Sequence, residues 1–253
     1  MRCLGVSSPA RNCVKASSRP IGSHSTHLGW LKGLPWVGLW APMAAALSGS
    51  DISDKDVALV RKHAAPFIVE AVEQDRSVYR LYHERLAEHL RGTVADEKIA
   101  QWRIAQVLRS RVPYSPNPGK DWTRAHPYVL SHLAAHALKA GTLGELVTDA
   151  VFLAAADPLR ILQALSVSTD PQARRIYACY SLAFDRLRDQ PTNVRLSYLE
   201  MTARQQADDE PAEIFGREGL RVAGACRGRA SCRCQRIGRS WRLHQLTRSR
   251  WAR

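Results

Sequence analysis

A histidine at position 83 stands where a predicted strand, residues 77–82, gives way to a helical segment. An imidazole at such a junction can donate a hydrogen bond to a phosphate oxygen. A charge-assisted bond of this kind contributes roughly 1.5–3 kcal/mol. The alternative is a histidine whose polar atoms are satisfied by backbone groups at the start of the helix. His83 is therefore the candidate ligand-binding residue of this chain.

A second pair of histidines has a spacing that suits a metal ion. His132 and His136 are four residues apart on a predicted helix, so two imidazoles can share a metal on one helix face. The apolar stripe of this helix lies on roughly the opposite side, and we predict that both histidines point to solvent. His126 is not on their face, and no Glu-x-x-His context accompanies the pair. We predict no metal site here.

No set of side chains arranged for catalysis is evident in the sequence. Ser/His/Asp, Cys/His and paired-carboxylate sets are absent, and the i, i+4 pair Glu84 and Glu88 is typical of a polar helix surface. A phosphate-binding loop of the form Gly-x-x-x-x-Gly-Lys-Ser/Thr is also missing, since the Gly-Lys-Asp run at 119–121 does not satisfy the pattern. We therefore predict a protein that is not an enzyme and has no cofactor of its own.

The net charge is concentrated at the two ends of the chain. The 253 residues carry a formal charge of +14. Residues 1–32 contain five basic residues and no acidic one, and residues 217–253 contain eleven arginines and one glutamate. The stretch between them is nearly neutral, with 21 basic and 22 acidic residues. Segments with few aliphatic residues and one sign of charge do not form a core. We predict disordered basic tails at 1–32 and 217–253.

Cysteine usage and hydropathy argue against two other classes of protein. Only Cys179 lies between the tails, which is typical of a small buried residue and not of a secreted disulfide framework. The run Cys232-Arg233-Cys234 followed by His244 fits no standard zinc spacing. No stretch reaches the roughly 18 apolar residues that a membrane span requires. We predict a cytoplasmic protein that does not contact a membrane.

The segment 33–92 has the order helix, hairpin, helix. Ser53 and Asp56 form a capping-box pattern that predicts a helix over about 53–65, closed by Pro66. Residues 67–72 are short and β-branched, 73–76 form a polar turn, and 77–82 predict a second strand. This order predicts a small α+β module with a β-hairpin.

Beyond residue 92 the chain is predicted to be helical. A proline-rich loop interrupts it at 112–120, and two cap-competent aspartates followed by proline, Asp157-Pro158 and Asp170-Pro171, open two of the helices. The predicted helices span 95–111, 121–140, 142–149, 158–166, 171–189 and 193–208. No strict repeat aligns, so we predict an irregular α-helical array. Four tryptophans sit among apolar positions and are predicted to be core anchors: Trp36, Trp40, Trp102 and Trp122.

Residues 33–215 resemble the segment that follows the nucleotide-binding core in large actinobacterial STAND/NACHT-type signalling ATPases, the kind that contains WD repeats. Several ordered motifs carry this resemblance, and the run around His83 is the most informative. The matching stretches are 33–36, 65–70, 77–90, 122–130, 131–137 and 152–158. The resemblance implies a winged-helix-like module at 33–92, followed by the helical array at 93–216, in a mainly α protein.

The resemblance also implies a role for His83. In that family the corresponding histidine hydrogen-bonds the phosphate of bound ADP and keeps the protein inactive. The nucleotide-binding core and the WD repeats are both missing from this sequence, so His83 would be a phosphate sensor only if a nucleotide-binding domain were supplied. In the isolated chain, backbone satisfaction of this histidine is the favoured interpretation. We therefore expect a truncated fragment, with basic tails that could be out-of-frame translation.

Two functions follow from these observations. The first is a noncatalytic regulatory or connecting arm of a STAND/NACHT-like ATPase, whose partners are proteins: a nucleotide-binding or sensor domain. The alternative is a basic nucleic-acid-binding protein that uses the winged helix and the Arg-rich tail. The candidate recognition helix, 53–65, balances three basic residues against two acidic ones, which favours the first function.

Overall fold

The protein is mainly helical, with one early antiparallel hairpin, as the sequence predicts. The structure is a computed structural model that describes residues 34–35, 38–73, 76–92, 96–115 and 119–227. The chain divides into two compact units, Met1–Leu108 and Arg109–Arg253. This division falls within a helix, whereas the predicted boundary was at residue 92.

The described part of the first unit combines four helices with a small sheet. Its helices are α1 (Trp40–Ser48), α2 (Asp54–His63), α3 (Glu84–Gly92) and most of α4 (Glu97–Ser110). Its strands are β1 (Leu34–Pro35), β2 (Ile68–Glu73) and β3 (Arg76–Leu81), in the order β1-β3-β2, with both pairings antiparallel. Trp40 packs against Tyr79 of the central strand, with ring centroids 6.4 Å apart.

Local signals determine where the elements of the first unit begin. The Ser53 hydroxyl accepts from the Asp56 backbone N–H, and the Asp56 side chain accepts from the Ser53 backbone N–H at 2.9 Å, which confirms the predicted capping box. Both hairpin strands lie within one residue of their predicted ranges. Arg103 of α4 donates to the carbonyls of Ala46 and Leu47 at the end of α1, so α4 belongs with this unit.

The second unit is an array of seven helices within its described residues. They are α5 (Pro127–Ala140), α6 (Leu143–Leu146), α7 (Ala150–Ala155), α8 (Pro158–Val167), α9 (Pro171–Leu187), α10 (Thr192–Gln205) and α11 (Asp209–Arg227). Successive long helices pack against one another from α8 to α11, and α5 packs on α8. The core contains Trp122, Phe152, Tyr180 and Phe215, all almost fully buried.

Buried backbone groups connect these helices where α7 gives way to α8. The Tyr180 hydroxyl donates to the Leu153 carbonyl at 3.2 Å. Arg195 of α10 donates to the carbonyls of Ala154 (3.2 Å) and Ala156 (3.0 Å). These three carbonyls belong to residues with no solvent exposure, so each would be costly to leave unbonded.

Several helices differ from the predicted ranges. The predicted helix 121–140 begins only at Pro127, after a short 3-10 turn (Trp122–Arg124). The predicted helix 142–149 ends at Leu146, and α7 follows as a separate helix. Asp149 causes this break, because its side chain accepts from the Phe152 N–H (3.0 Å) and from the Trp122 indole N–H (2.7 Å).

The end of the helical array also lies beyond its predicted position. The prediction placed a disordered tail from residue 217, but α11 continues to Arg227. The reason is packing against α10, which is close enough for Gly219 to lie beside Leu196, together with an ion pair between Glu218 and Arg221 at 2.7 Å. The predicted tail residues 1–32 and 228–253 lie outside the described residues.

One glycine of the second unit is required by a close approach. A Cβ added to Gly144 in α6 would lie 2.4 Å from an oxygen of the Asp170 carboxylate. That carboxylate cannot simply move away, because its other oxygen accepts from the Ala173 N–H (3.0 Å) and caps α9. Gly144 therefore permits the N-terminus of α9 to pack on α6.

We expect Gly144→Ala to lower the free energy of unfolding by about 1 kcal/mol relative to Gly219→Ala, the usual value of a helix N-cap, because the added methyl group displaces the Asp170 cap. Gly219→Ala is the matched control, since its Cβ would meet only Leu196 at 3.6 Å, an ordinary contact. Alanine is the better helix former, so the control should be neutral or stabilising. Urea unfolding measures both, and equal effects of the two variants would contradict this role of Gly144.

Candidate functional site

His83 lies between β3 and α3, where the sequence places it. It is solvent-exposed, and its backbone carbonyl accepts from the N–H groups of Leu86 (3.1 Å) and Ala87 (3.3 Å) in the first turn of α3. Its imidazole makes no hydrogen bond to a described residue. The backbone of His83 is thus used by the helix, whereas its side chain is open to solvent.

One exposed aromatic side chain contacts this histidine, and a second exposed aromatic residue is bonded to the first through its backbone. The edge of one ring of the Tyr82–His83 pair meets the face of the other, with ring centroids 4.8 Å apart at 89°. The Tyr82 N–H donates to the Phe67 carbonyl at 2.8 Å, so the base of the hairpin brings Phe67 next to Tyr82 in the structure. Phe67 is 56% exposed and Tyr82 is 68% exposed. We call Phe67, Tyr82 and His83 the junction patch.

Of the junction patch, only His83 is predicted from the sequence, whereas Phe67 and Tyr82 are not. Phe67 and Tyr82 are aromatic residues at the ends of predicted strands, where core burial is the usual expectation. Whether a strand end is covered depends on the elements that pack against it, which the pattern of residues does not reveal. Exposed large apolar side chains that cluster in one place are typical of an interaction surface.

A polar network holds the hairpin against α2. Arg61 donates to the Tyr79 hydroxyl at 3.1 Å, and its guanidinium lies over the Tyr79 ring, 5.4 Å from the centroid. Hydrogen bonds from Ser77 and Tyr79, with Arg61 nearby, hold the pKa of Glu70 below its ordinary value. Arg61 is therefore engaged within the protein, and is not simply a solvent-facing cation on a recognition helix.

The predicted orientation of His132 and His136 is wrong. His136 is only 7% exposed and His132 is half-buried, with its ring 4.3 Å from that of Tyr128. The helix α5 packs against both α6 and α8, so residues opposite its main apolar stripe are covered as well. Burial lowers the pKa of His132 to about 4 and that of His136 to about 3.

Other predicted residues have structural roles. Trp40 and Trp122 are buried, as predicted, but Trp102 is 46% exposed and is not a core anchor, because it faces outward from α4. Trp36 lies outside the described residues. Cys179 is buried, as predicted, and burial raises the pKa of its thiol.

Neither a metal-binding cluster nor a membrane-spanning helix is found among the described residues. Among the described residues, no three or more metal-ligating side chains come together. No helix in the described ranges has the length and apolar character needed to cross a bilayer. The run Cys232-Arg233-Cys234 and His244 lie outside those ranges. Glu84 forms an ion pair with Arg91 at 2.5 Å across α3, as expected of a polar helix surface.

No protein-family model, no curated protein and no solved structure matches this chain.

We expect Phe67→Ser, Tyr82→Ser and His83→Gln each to leave the urea midpoint of the first unit unchanged, because an exposed side chain loses little on substitution. Tyr79→Phe is the contrasting variant: it keeps the ring but removes the hydroxyl that binds Arg61, and it should lower the midpoint measurably. A loss of stability in the three patch variants that equals or exceeds that of Tyr79→Phe would show that the patch supports the fold.

Proposed function

We propose that this chain is a noncatalytic regulatory and connecting arm of a STAND/NACHT-like signalling ATPase, acting in the cytoplasm through protein–protein contacts. The observation that carries the proposal is the junction patch. Its imidazole and two aromatic rings are exposed together at a strand-to-helix junction. The run of residues around this junction is the one that resembles the nucleotide-contacting segment of those ATPases.

The geometry of the junction supports a role for the His83 side chain. Because only the backbone of His83 is used by α3, its imidazole is available to donate to a group from another domain. Phe67 and Tyr82 supply apolar surface beside it, and burying that surface against a partner would shield the hydrogen bond from water. The partner that fits is a nucleotide-binding domain with ADP in its site.

The energy of one such bond suits a switch. A hydrogen bond to a charged group contributes roughly 1.5–3 kcal/mol, and couplings between allosteric sites are typically about 1–3 kcal/mol. A single contact from His83 to a phosphate oxygen is therefore large enough to shift the balance between two states of an ATPase. It is too small to bind a nucleotide tightly without the remainder of the site.

We expect His83→Leu to accelerate ADP release about 10-fold to 100-fold, the loss of one charge-assisted bond. The variant is made in an ATPase of this kind whose own arm is replaced by residues 33–227, so that α11 is retained, and retained ADP is measured after dilution. His89→Leu is the matched control, since His89 is an exposed histidine on α3, the helix that follows His83. Equal ADP retention in the parent and in His83→Leu would exclude the sensor role.

The alternative, nucleic-acid binding through α2, has less support. The first turn of α2 carries Asp54 and Asp56, which would repel phosphates, and Arg61 is bonded to Tyr79. The basic residues left on this helix for phosphate contacts are Lys55 and Lys62, with His63 at its end.

We expect Lys55→Glu/Lys62→Glu to leave the affinity of the full chain for a 30-base-pair duplex unchanged in gel-shift titrations. Deleting 228–253 should abolish any affinity that the full chain has, because nonspecific binding depends on the number of phosphates neutralised and falls steeply with salt. Weaker binding by the double variant would instead favour a recognition role for α2.

A further inference from the structure

We propose that α5 is an acid-sensitive element of the second unit: protonation of His126, His132 and His136 opposes its folded packing, so that this helix is released as the pH falls. The proposal is independent of the function proposed above. It rests on the N-cap histidine of α5 and on two histidines within the helix, each placed where the neutral imidazole is favoured.

The first of these sites is the start of the helix. The Nδ1 atom of His126 accepts from the Tyr128 backbone N–H at 3.1 Å and serves as the N-cap of α5. A nitrogen that accepts a hydrogen bond must be unprotonated. A positive charge at a helix N-terminus is also opposed by the helix dipole. Protonation at Nδ1 therefore removes the cap and places an unfavourable charge at the same end.

The other two sites are within the packed part of the helix. His136 is 7% exposed, and His132 is half-buried with its ring against Tyr128. A charged imidazole in such a place loses its hydration, and burial is the main reason why the charged form is disfavoured at both positions. The spacing of four residues also places the two imidazoles near each other on one face, so that charging one disfavours charging the second.

Charged groups of α5 and at the start of α8 act on the protonation of these histidines in both directions. From α8, Arg160 disfavours and Asp157 favours protonation of His132, and the effect of Arg160 is the larger. Lys139 of α5 itself disfavours protonation of His136. The charged residue of α6, Glu145, is exposed to solvent.

The direction of the pH effect follows from these contacts. Burial is the main cause that lowers the pKa of His132 to about 4 and of His136 to about 3, from an ordinary value of 6.5. Below pH 6.5 the unfolded chain binds protons that the folded chain does not, so stability decreases as the pH falls. The loss begins near pH 6.5 and continues to about pH 4 for His132 and about pH 3 for His136.

The position of α5 makes the loss of this helix consequential. Val129 and Leu133 of α5 are almost fully buried in the core of the unit. The Leu130 carbonyl accepts from the Asp157 N–H at 3.1 Å, at the start of α8. Release of α5 would expose these apolar residues and remove a partner from the start of α8.

The test uses the full chain and follows unfolding of 127–140 in urea by pulsed hydrogen exchange at pH 7.5, 6.5, 5.5 and 4.5, with rates corrected for intrinsic exchange. Each proton taken up only by the unfolded chain changes the unfolding constant about 10-fold per pH unit, so two histidines give about 100-fold per unit once both are charged in the unfolded state. We expect His132→Gln/His136→Leu to remove this part of the pH dependence. His89→Gln, an exposed histidine of the first unit, is the control and should retain it.

Equal pH dependence in the parent and in His132→Gln/His136→Leu would overturn the proposal. If the double variant does not fold, the half-buried His132 provides a milder test: His132→Gln alone should reduce the dependence by about 10-fold per pH unit. The proposal would also be overturned if His89→Gln reduced the pH dependence as much as His132→Gln does, because the effect would then not depend on burial in α5.

Discussion

The second unit depends on how it satisfies the backbone carbonyls where α7 gives way to α8. Leu153, Ala154 and Ala156 have no contact with water, so their carbonyls must find partners within the protein. Tyr180 and Arg195 supply them from two other helices. An apolar array held only by side-chain packing would tolerate shifts between helices. These directed bonds fix the positions of α9 and α10 relative to the end of α7.

The burial that requires partners for these carbonyls also shifts the pKa values of titratable groups in the second unit. It raises the pKa of Tyr180 and lowers the pKa of His132 and His136, in each case disfavouring the charged form. Burial in the second unit therefore has two effects: it requires bonded carbonyls, and it disfavours charge on these side chains. The first unit is different, since its candidate site is exposed and His83 remains open to solvent.

Local chemistry explains which parts of the fold could be predicted. The caps formed by Ser53 and Asp170 were found from sequence, because a cap needs only a side-chain oxygen and a backbone N–H two or three residues away. The break at Asp149 could not be found in this way. Its second partner is Trp122, distant in sequence, and only the folded chain brings the two together. The extension of α11 beyond residue 216 likewise depends on packing against α10.

The sequence by itself determined the helical class, the early hairpin and the place of His83 at the junction of β3 and α3, because periodicity and turn chemistry act over a few residues. Only the tertiary structure decided which side chains are covered. It buried His136, which the pattern assigned to solvent, and exposed Phe67 and Tyr82. Burial depends on the elements that pack against a residue, and a helix covered on two sides gives no sign of its second neighbour in its own sequence.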